Sequence, residues 1–141
     1  MLRYITRLLN MTEEEIINHP NLLVNVLDHD HYVLFWNKQC EQLFGIKEEE
    51  ALGRRLEDIL PSSRTNQKMS RLQNALSGET VYIEDDIMDS KDYYYSQVLI
   101  PIRNSNGKVI AAVNIVRRRA VEEAQNTSVV FSVFPDNFNK N

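Results

Sequence analysis

The stretch Tyr32 to Pro61, YVLFWNKQCEQLFGIKEEEALGRRLEDILP, runs from an apolar strand straight into a string of short helices. Tyr32 to Trp36 is aromatic and aliphatic throughout, which suits a pleated, half-buried backbone. Asn37 is a preferred N-cap for a helix over Lys38 to Phe44, and Gly45 suits the residue just past its end. Lys47 to Leu52 predicts a second short helix, closed by Gly53. Leu56 to Leu60 predicts a third, stopped by Pro61. Strand alternation puts Val33 and Phe35 on one face with Asn37, and Tyr32, Leu34 and Trp36 on the other. Both faces are apolar, so both need a cover. Helices are expected over the first, and an N-terminal helix or a second copy of the chain over the other.

Upstream, Leu22 to Leu27 reads as a strand joined to Tyr32–Trp36 by the turn Asp28-His29-Asp30-His31. Leu2, Ile5, Leu8 and Leu9 share one face of a helix over residues 2–10. Thr12 with Glu15 forms a capping box for a further helix that ends at Pro20, with His19 at its end. Helices this short are marginal alone, so their apolar face needs the domain's own sheet or a partner chain. Downstream, Met69, Leu72 and Leu76 lie at helical spacing within Ser63 to Leu76, and Gly78 terminates that helix. Glu79–Met88, Tyr93–Arg103 and Lys108–Arg117 then read as strands, the last two joined through Asn106-Gly107, a strong hairpin signal. Strands, then helices, then strands argue an α+β fold with an antiparallel sheet. Arg117 to Gln125 is charged and reads as helical. The tail Asn126–Asn141, with its SVVFSVF, reads as an extra edge strand or a disordered segment.

Composition bounds the function. A chain of 141 residues fits one domain with a real core. Its net charge of −4 argues against direct nucleic-acid binding, which favours basic surfaces. Cys40 is the one cysteine and cannot form an internal disulfide, which suits a reducing, cytoplasmic setting. No apolar run approaches the roughly 18 residues needed to span a bilayer. Arg3 and Arg7 interrupt the apolar N-terminus, so it does not read as a signal peptide. Phosphate-loop, GxSxG, HExxH and paired-cysteine metal motifs are missing, so neither an enzyme nor a metal site is expected.

Tyr32–Pro61, followed at the right separation by Pro101-Ile102-Arg103, Asn106-Gly107 and VIAAVNIV, resembles the PAS domain family over roughly residues 21–118. The resemblance implies a five-stranded antiparallel sheet with short helices on one face around a small cavity, plus the N-terminal amphipathic helix. It divides the chain into an N-terminal helical cap and dimerisation segment (1–20), a PAS domain (21–118) and a C-terminal linker and tail (119–141). It implies a non-enzymatic sensory or interaction module in signal transduction, of the two-component or transcription-regulator kind. Such a module senses a small apolar ligand or a partner and relays it through a homodimer to an effector. The expected cavity lining is Phe35, Leu43, Phe44, Ile59, Met69, Leu72, Ile83, Val98, Val113 and Ile115, almost wholly apolar and without a polar anchor. The expected dimer interface is Leu2, Ile5, Leu8, Leu9, Tyr32, Leu34 and Trp36.

No cofactor is the leading expectation. Light-sensing flavin members carry a reactive thiol shortly after a Gly, and here Leu56 stands at that place after Gly53. Haem-binding members use a histidine before the third strand, and residues 62–78 contain none. Met69 there has a thioether but is spaced as core. His29 and His31 read as a solvated turn, with His31 where the family usually has Gly. The family's closing Asp-Ile-Thr triplet is replaced by Arg118, Arg119 and Ala120. A non-covalent flavin or haem sensor is the alternative. A cone-shaped isomerase of the ketosteroid type is a remoter one, resting on Tyr93-Tyr94-Tyr95 and the acidic run Glu84-Asp85-Asp86.

Overall fold

The structure, a computed structural model, describes residues 2–61, 66–86 and 93–120. Five strands form one antiparallel sheet: β1 (Leu22–Asp28), β2 (Val33–Trp36), β3 (Val81–Asp86), β4 (Tyr93–Arg103) and β5 (Val109–Ala120). Their order is β2-β1-β5-β4-β3. The last strand therefore closes the sheet through its middle, pairing with β1 on one side and β4 on the other. Asn104 and Gly107 make the β4–β5 turn, with Gly107 in the left-handed region at φ 80°.

Each face of the sheet has its own helical cover. On the outer face lie α1 (Leu2–Leu9) and α2 (Glu13–Asn18), the latter started by the Thr12–Glu15 capping box and ending at His19. Ile5, Leu9 and Ile16 pack there with Leu22, Val24, Val26, Val98, Val113 and Ile115. On the inner face lie α3 (Lys38–Phe44), α4 (Glu48–Ala51), α5 (Leu56–Ile59) and α6 (Asn66–Leu76). Cys40, Ala51, Leu72, Ala75 and Leu76 pack there with Leu23, Leu27, Val33, Trp36, Leu99 and Ala112. The apolar face of α1 thus finds its partner in the chain's own sheet.

Strand β2 departs from simple alternation. Val26 pairs with Phe35 but Leu27 pairs with Val33, so Leu34 is an extra residue in a β-bulge. A one-residue bulge shifts the parity of everything beyond it. Val33 and Trp36 consequently both face the inner helices, while Phe35 packs with the outer cluster. Leu34 is left exposed, as is Tyr32, which bridges to Arg55.

Asn37 locks this corner. Its Oδ1 accepts from the backbone N–H of Val24 (3.1 Å) and of Cys40 (3.2 Å). Its Nδ2 donates to the carbonyls of Ile16 (2.9 Å) and Leu22 (2.8 Å). One buried side chain thereby ties α2, β1 and α3 together.

The helix expected from Arg117 is absent over its first residues: β5 continues to Ala120 because β4 offers Tyr93 to Ser96 as ladder partners. Residues 121–125 and the tail Asn126–Asn141 lie outside the described residues.

Candidate functional site

A cavity of about 310 Å³ lies between the inner face of the sheet and helices α3, α5 and α6. Leu43 and Phe44 wall it from α3, Leu56, Glu57 and Leu60 from the α5 segment, and Lys68, Met69, Arg71 and Leu72 from α6. The sheet supplies the floor: Leu23, Asn25 and Leu27 from β1, Tyr95, Gln97 and Leu99 from β4, Asn114 and Val116 from β5. Within each of these three stretches the lining residues alternate, as pleating requires.

The expected lining divides cleanly. Leu43, Phe44, Met69 and Leu72 do line the cavity. Phe35, Val98, Val113 and Ile115 do not: they lie on the outer face beneath α1 and α2. Strand parity is the reason: the β-branched side of β4 and β5 lies beneath α1 and α2, and the mixed polar side faces inward. Ile59 packs with the inner core but is not part of the cavity wall. Ile83, opposite Gln97, shares the inner face and also stands outside the lining.

The expected dimer set is likewise redistributed. Ile5 and Leu9 are buried against the sheet, with Leu2 and Leu8 beside them. Trp36 is buried on the inner side, its Nε1–H donating to the Ile46 carbonyl (2.9 Å) and its ring 5.5 Å from that of Phe44. Tyr32 and Leu34 remain exposed.

The cavity floor carries a polar anchor that an apolar reading omitted. Asn25, opposite Asn114 in the β1–β5 register, is 2% exposed, and its Oδ1 has no hydrogen-bond partner among the described residues. Its Nδ2 points at Cys40 Sγ at 3.8 Å. Gln97 Nε2 donates to Asn114 Oδ1 at 2.7 Å. A signal for this was present: Val24-Asn25-Val26 and Val113-Asn114-Ile115 each place an asparagine mid-strand, where that residue is depleted. A buried amide oxygen left unpaired costs free energy, so such a group calls for an explanation.

Cys40 packs on the inner face from α3 but is not part of the cavity lining. Its thiol donates to the Val24 carbonyl (3.4 Å), and burial pushes its pKa up to about 12. A thiol in that state is a poor nucleophile. Leu56, not a cysteine, reaches the cavity from α5.

His31 is not a solvated turn residue. It adopts the left-handed conformation (φ 70°) that the missing Gly would favour. Its Nδ1 meets Glu57 Oε1 at 2.5 Å, with both side chains largely buried. Its carbonyl accepts from the Leu56 N–H (2.9 Å), so the β1–β2 turn holds the α5 wall in place. His29 Nε2 meets the Val109 carbonyl at 2.6 Å.

No histidine lines the cavity among the described residues, which leaves Met69 as the one sulfur in its wall. Among the same residues no group of three or more His, Cys, Asp or Glu could hold a metal ion. Glu57 is the carboxylate in the wall. His31 meets one of its oxygens, and Arg55 Nε lies 3.7 Å from the other. The side chain of Tyr94 lies outside the described residues, while Tyr95 lines the cavity.

A sequence model of the PAS fold matches residues 17–124. The chain belongs to the PAS-fold family. Solved structures agree on the fold. The PAS domain of the histidine kinase ThkA is 26% identical over 69% of this chain and 98% of its own, with a TM-score of 0.59. The PAS domain of Bordetella pertussis BvgS is 18% identical over 94% of this chain and 95% of its own, with a TM-score of 0.61. A sensory box histidine kinase from Vibrio cholerae is 17% identical over 84% of this chain and 96% of its own, also with a TM-score of 0.61. No curated protein matches the sequence. The helical cover and inner cavity described above are therefore those of a PAS domain. No helix among the described residues of this PAS domain is long and apolar enough to cross a membrane.

Proposed function

We propose that this PAS domain is a non-enzymatic, cytoplasmic sensory module whose cavity binds a small molecule and whose occupancy biases an effector of the sensor-kinase kind. The observation that carries this reading is the cavity of about 310 Å³ whose floor holds the amides of Gln97 and Asn114, each with a group left without a partner among the described residues. The volume is at the small end of ligand sites, which start near 300 Å³. A filled core would have no use for such polar groups. The names of the similar structures, PAS domains and sensory boxes of histidine kinases, support the effector class.

Strand β5 is the natural carrier of the signal. Asn114 and Val116 reach the cavity from its inner side, while Val113 and Ile115 touch the α1–α2 cover from its outer side. A ligand that binds one packing of β5 better than another shifts the equilibrium between them by its differential affinity. That shift bears on α1 and on the chain beyond Ala120 together. Two copies of the domain then relay it as a homodimer, for which the exposed Tyr32 and Leu34 remain available.

Native mass spectrometry of the freshly purified 141-residue chain tests the reading. The expected spectrum shows paired chains, each carrying a small non-covalent mass. An empty monomer at high concentration, unchanged by added small molecules, overturns it.

A further inference from the structure

The amide floor narrows the class of ligand. Taking as given the proposal that the cavity binds a small molecule, we infer that it selects a neutral molecule with a hydrogen-bond donor and acceptor side by side on one edge: an amide, lactam or ureide fused to an apolar body. Asn25, Asn114 and Gln97 stand on β1, β5 and β4, three neighbouring strands. Asn25 lies opposite Asn114, and Gln97 is one diagonal step away, opposite Val116. The three amides form a polar band across the middle of the floor.

Their hydrogen-bond inventory is incomplete. A side-chain amide offers two donors and one acceptor oxygen with two lone pairs. The Gln97–Asn114 bond uses one N–H of the first and one lone pair of the second. An amide oxygen on one and an amide N–H on the other have no partner among the described residues. Exchanging O and N in both residues leaves that inventory the same. Asn25 Oδ1 is fully enclosed and out of a ligand's reach, so the Gln97–Asn114 pair, only half-buried in the floor, presents the donor and the acceptor together, and neither member is charged.

The charged groups of the wall have partners: Glu57 is held by His31 and Arg55, and Lys68 and Arg71 each have interactions of their own. A carboxylate ligand offers acceptors alone and leaves the free amide oxygen of the pair without a donor. A hydrocarbon would leave that oxygen desolvated and unpaired, at the cost that makes such atoms rare. A lactam N–H meets the free amide oxygen of the Asn114–Gln97 pair, and its carbonyl meets the free N–H. Leu23, Leu27, Leu72 and Leu99 then cover its apolar body.

Calorimetric titration of the 141-residue chain with four matched bicyclic probes tests the inference: isoquinolin-1(2H)-one, its N-methyl derivative, naphthalene and 1-naphthoate. The lactam is expected to bind about tenfold tighter than either the N-methyl compound or naphthalene, the effect of one net hydrogen bond. Naphthoate is expected to bind weakest. In Gln97→Met the preference for the lactam falls to about parity while naphthalene still binds, which also shows that the variant is folded. Asn114→Leu reduces the preference in the same way. Naphthalene or naphthoate binding the wild type as tightly as the lactam overturns the ligand class and leaves the cavity reading intact. A preference that persists in Gln97→Met overturns the role of the amide pair. Failure of all four to bind overturns both the inference and the cavity reading beneath it.

Discussion

Asn25→Leu is expected to stabilise the fold. Asn25 Oδ1 is buried without a partner among the described residues, and an orphaned acceptor costs about 1–3 kcal/mol. The substitution removes that penalty and gives up only a long contact from Nδ2 to Cys40 Sγ at 3.8 Å. Leucine is larger than asparagine, but here the extra volume enters a cavity of about 310 Å³, so overpacking does not offset the gain. The net expectation is about 1–2 kcal/mol of added stability, or roughly 3–6 °C in Tm for a domain of this size. Urea unfolding followed by the fluorescence of Trp36, the chain's one tryptophan, measures it. The midpoint should rise with an unchanged m value. A variant less stable than wild type by 1 kcal/mol or more would refute the reasoning, because Oδ1 would then have a partner in the folded protein.

Asn37→Ala strands the Val24 and Cys40 N–H groups and the Ile16 and Leu22 carbonyls, and should cost about 2–4 kcal/mol in the same urea assay. Ile5→Asp places a carboxylate in the fully buried outer core, so light scattering should report aggregation; a stable, folded monomer would mean that α1 belongs to a dimer interface instead. Cys40 should resist a thiol reagent at pH 8 in the native state and react at once in urea. Its folded pKa of about 12 lies above its unfolded value of 9.0, so above pH 9 the unfolded chain releases a proton that the folded one keeps. Stability therefore falls as pH climbs from 9 toward 12, and Cys40→Ala should flatten that slope relative to wild type.

Much of the fold was legible in the sequence because its punctuation is local. Asn37 with Gly45, Thr12 with Glu15, and Asn106 with Gly107 each fix an element end by chemistry within a few residues, and the structure places all of them so. The facing of the strands was not legible to the same degree. Val33, Phe35, Val98, Val113 and Ile115 are equally suited to either side of a sheet that helices cover on both faces. In β2 a single extra residue, Leu34, sends Trp36 to the side opposite the one alternation implies. No local signal at 33–36 announces that bulge. The cavity suffered from the same ambiguity. Its α3 and α6 walls were readable from Leu43, Phe44, Met69 and Leu72, whereas its floor depended on strand parity. Asn25 and Asn114 marked the correct side, since a polar residue between two valine-like neighbours is tolerated only where something polar meets it. His31 and Glu57, 26 residues apart, meet through tertiary packing that no local pattern encodes.

The side-chain amide resonances of Asn25, Gln97 and Asn114 in a ¹H–¹⁵N correlation spectrum test the central claim most directly. Titration with isoquinolin-1(2H)-one should move these three signals together and saturably, with the methyls of Leu23, Leu27 and Leu99 following. Shifts confined to the methyls of Val24, Val113 and Ile115 on the opposite face, or no shift at all, would contradict a ligand site on this floor.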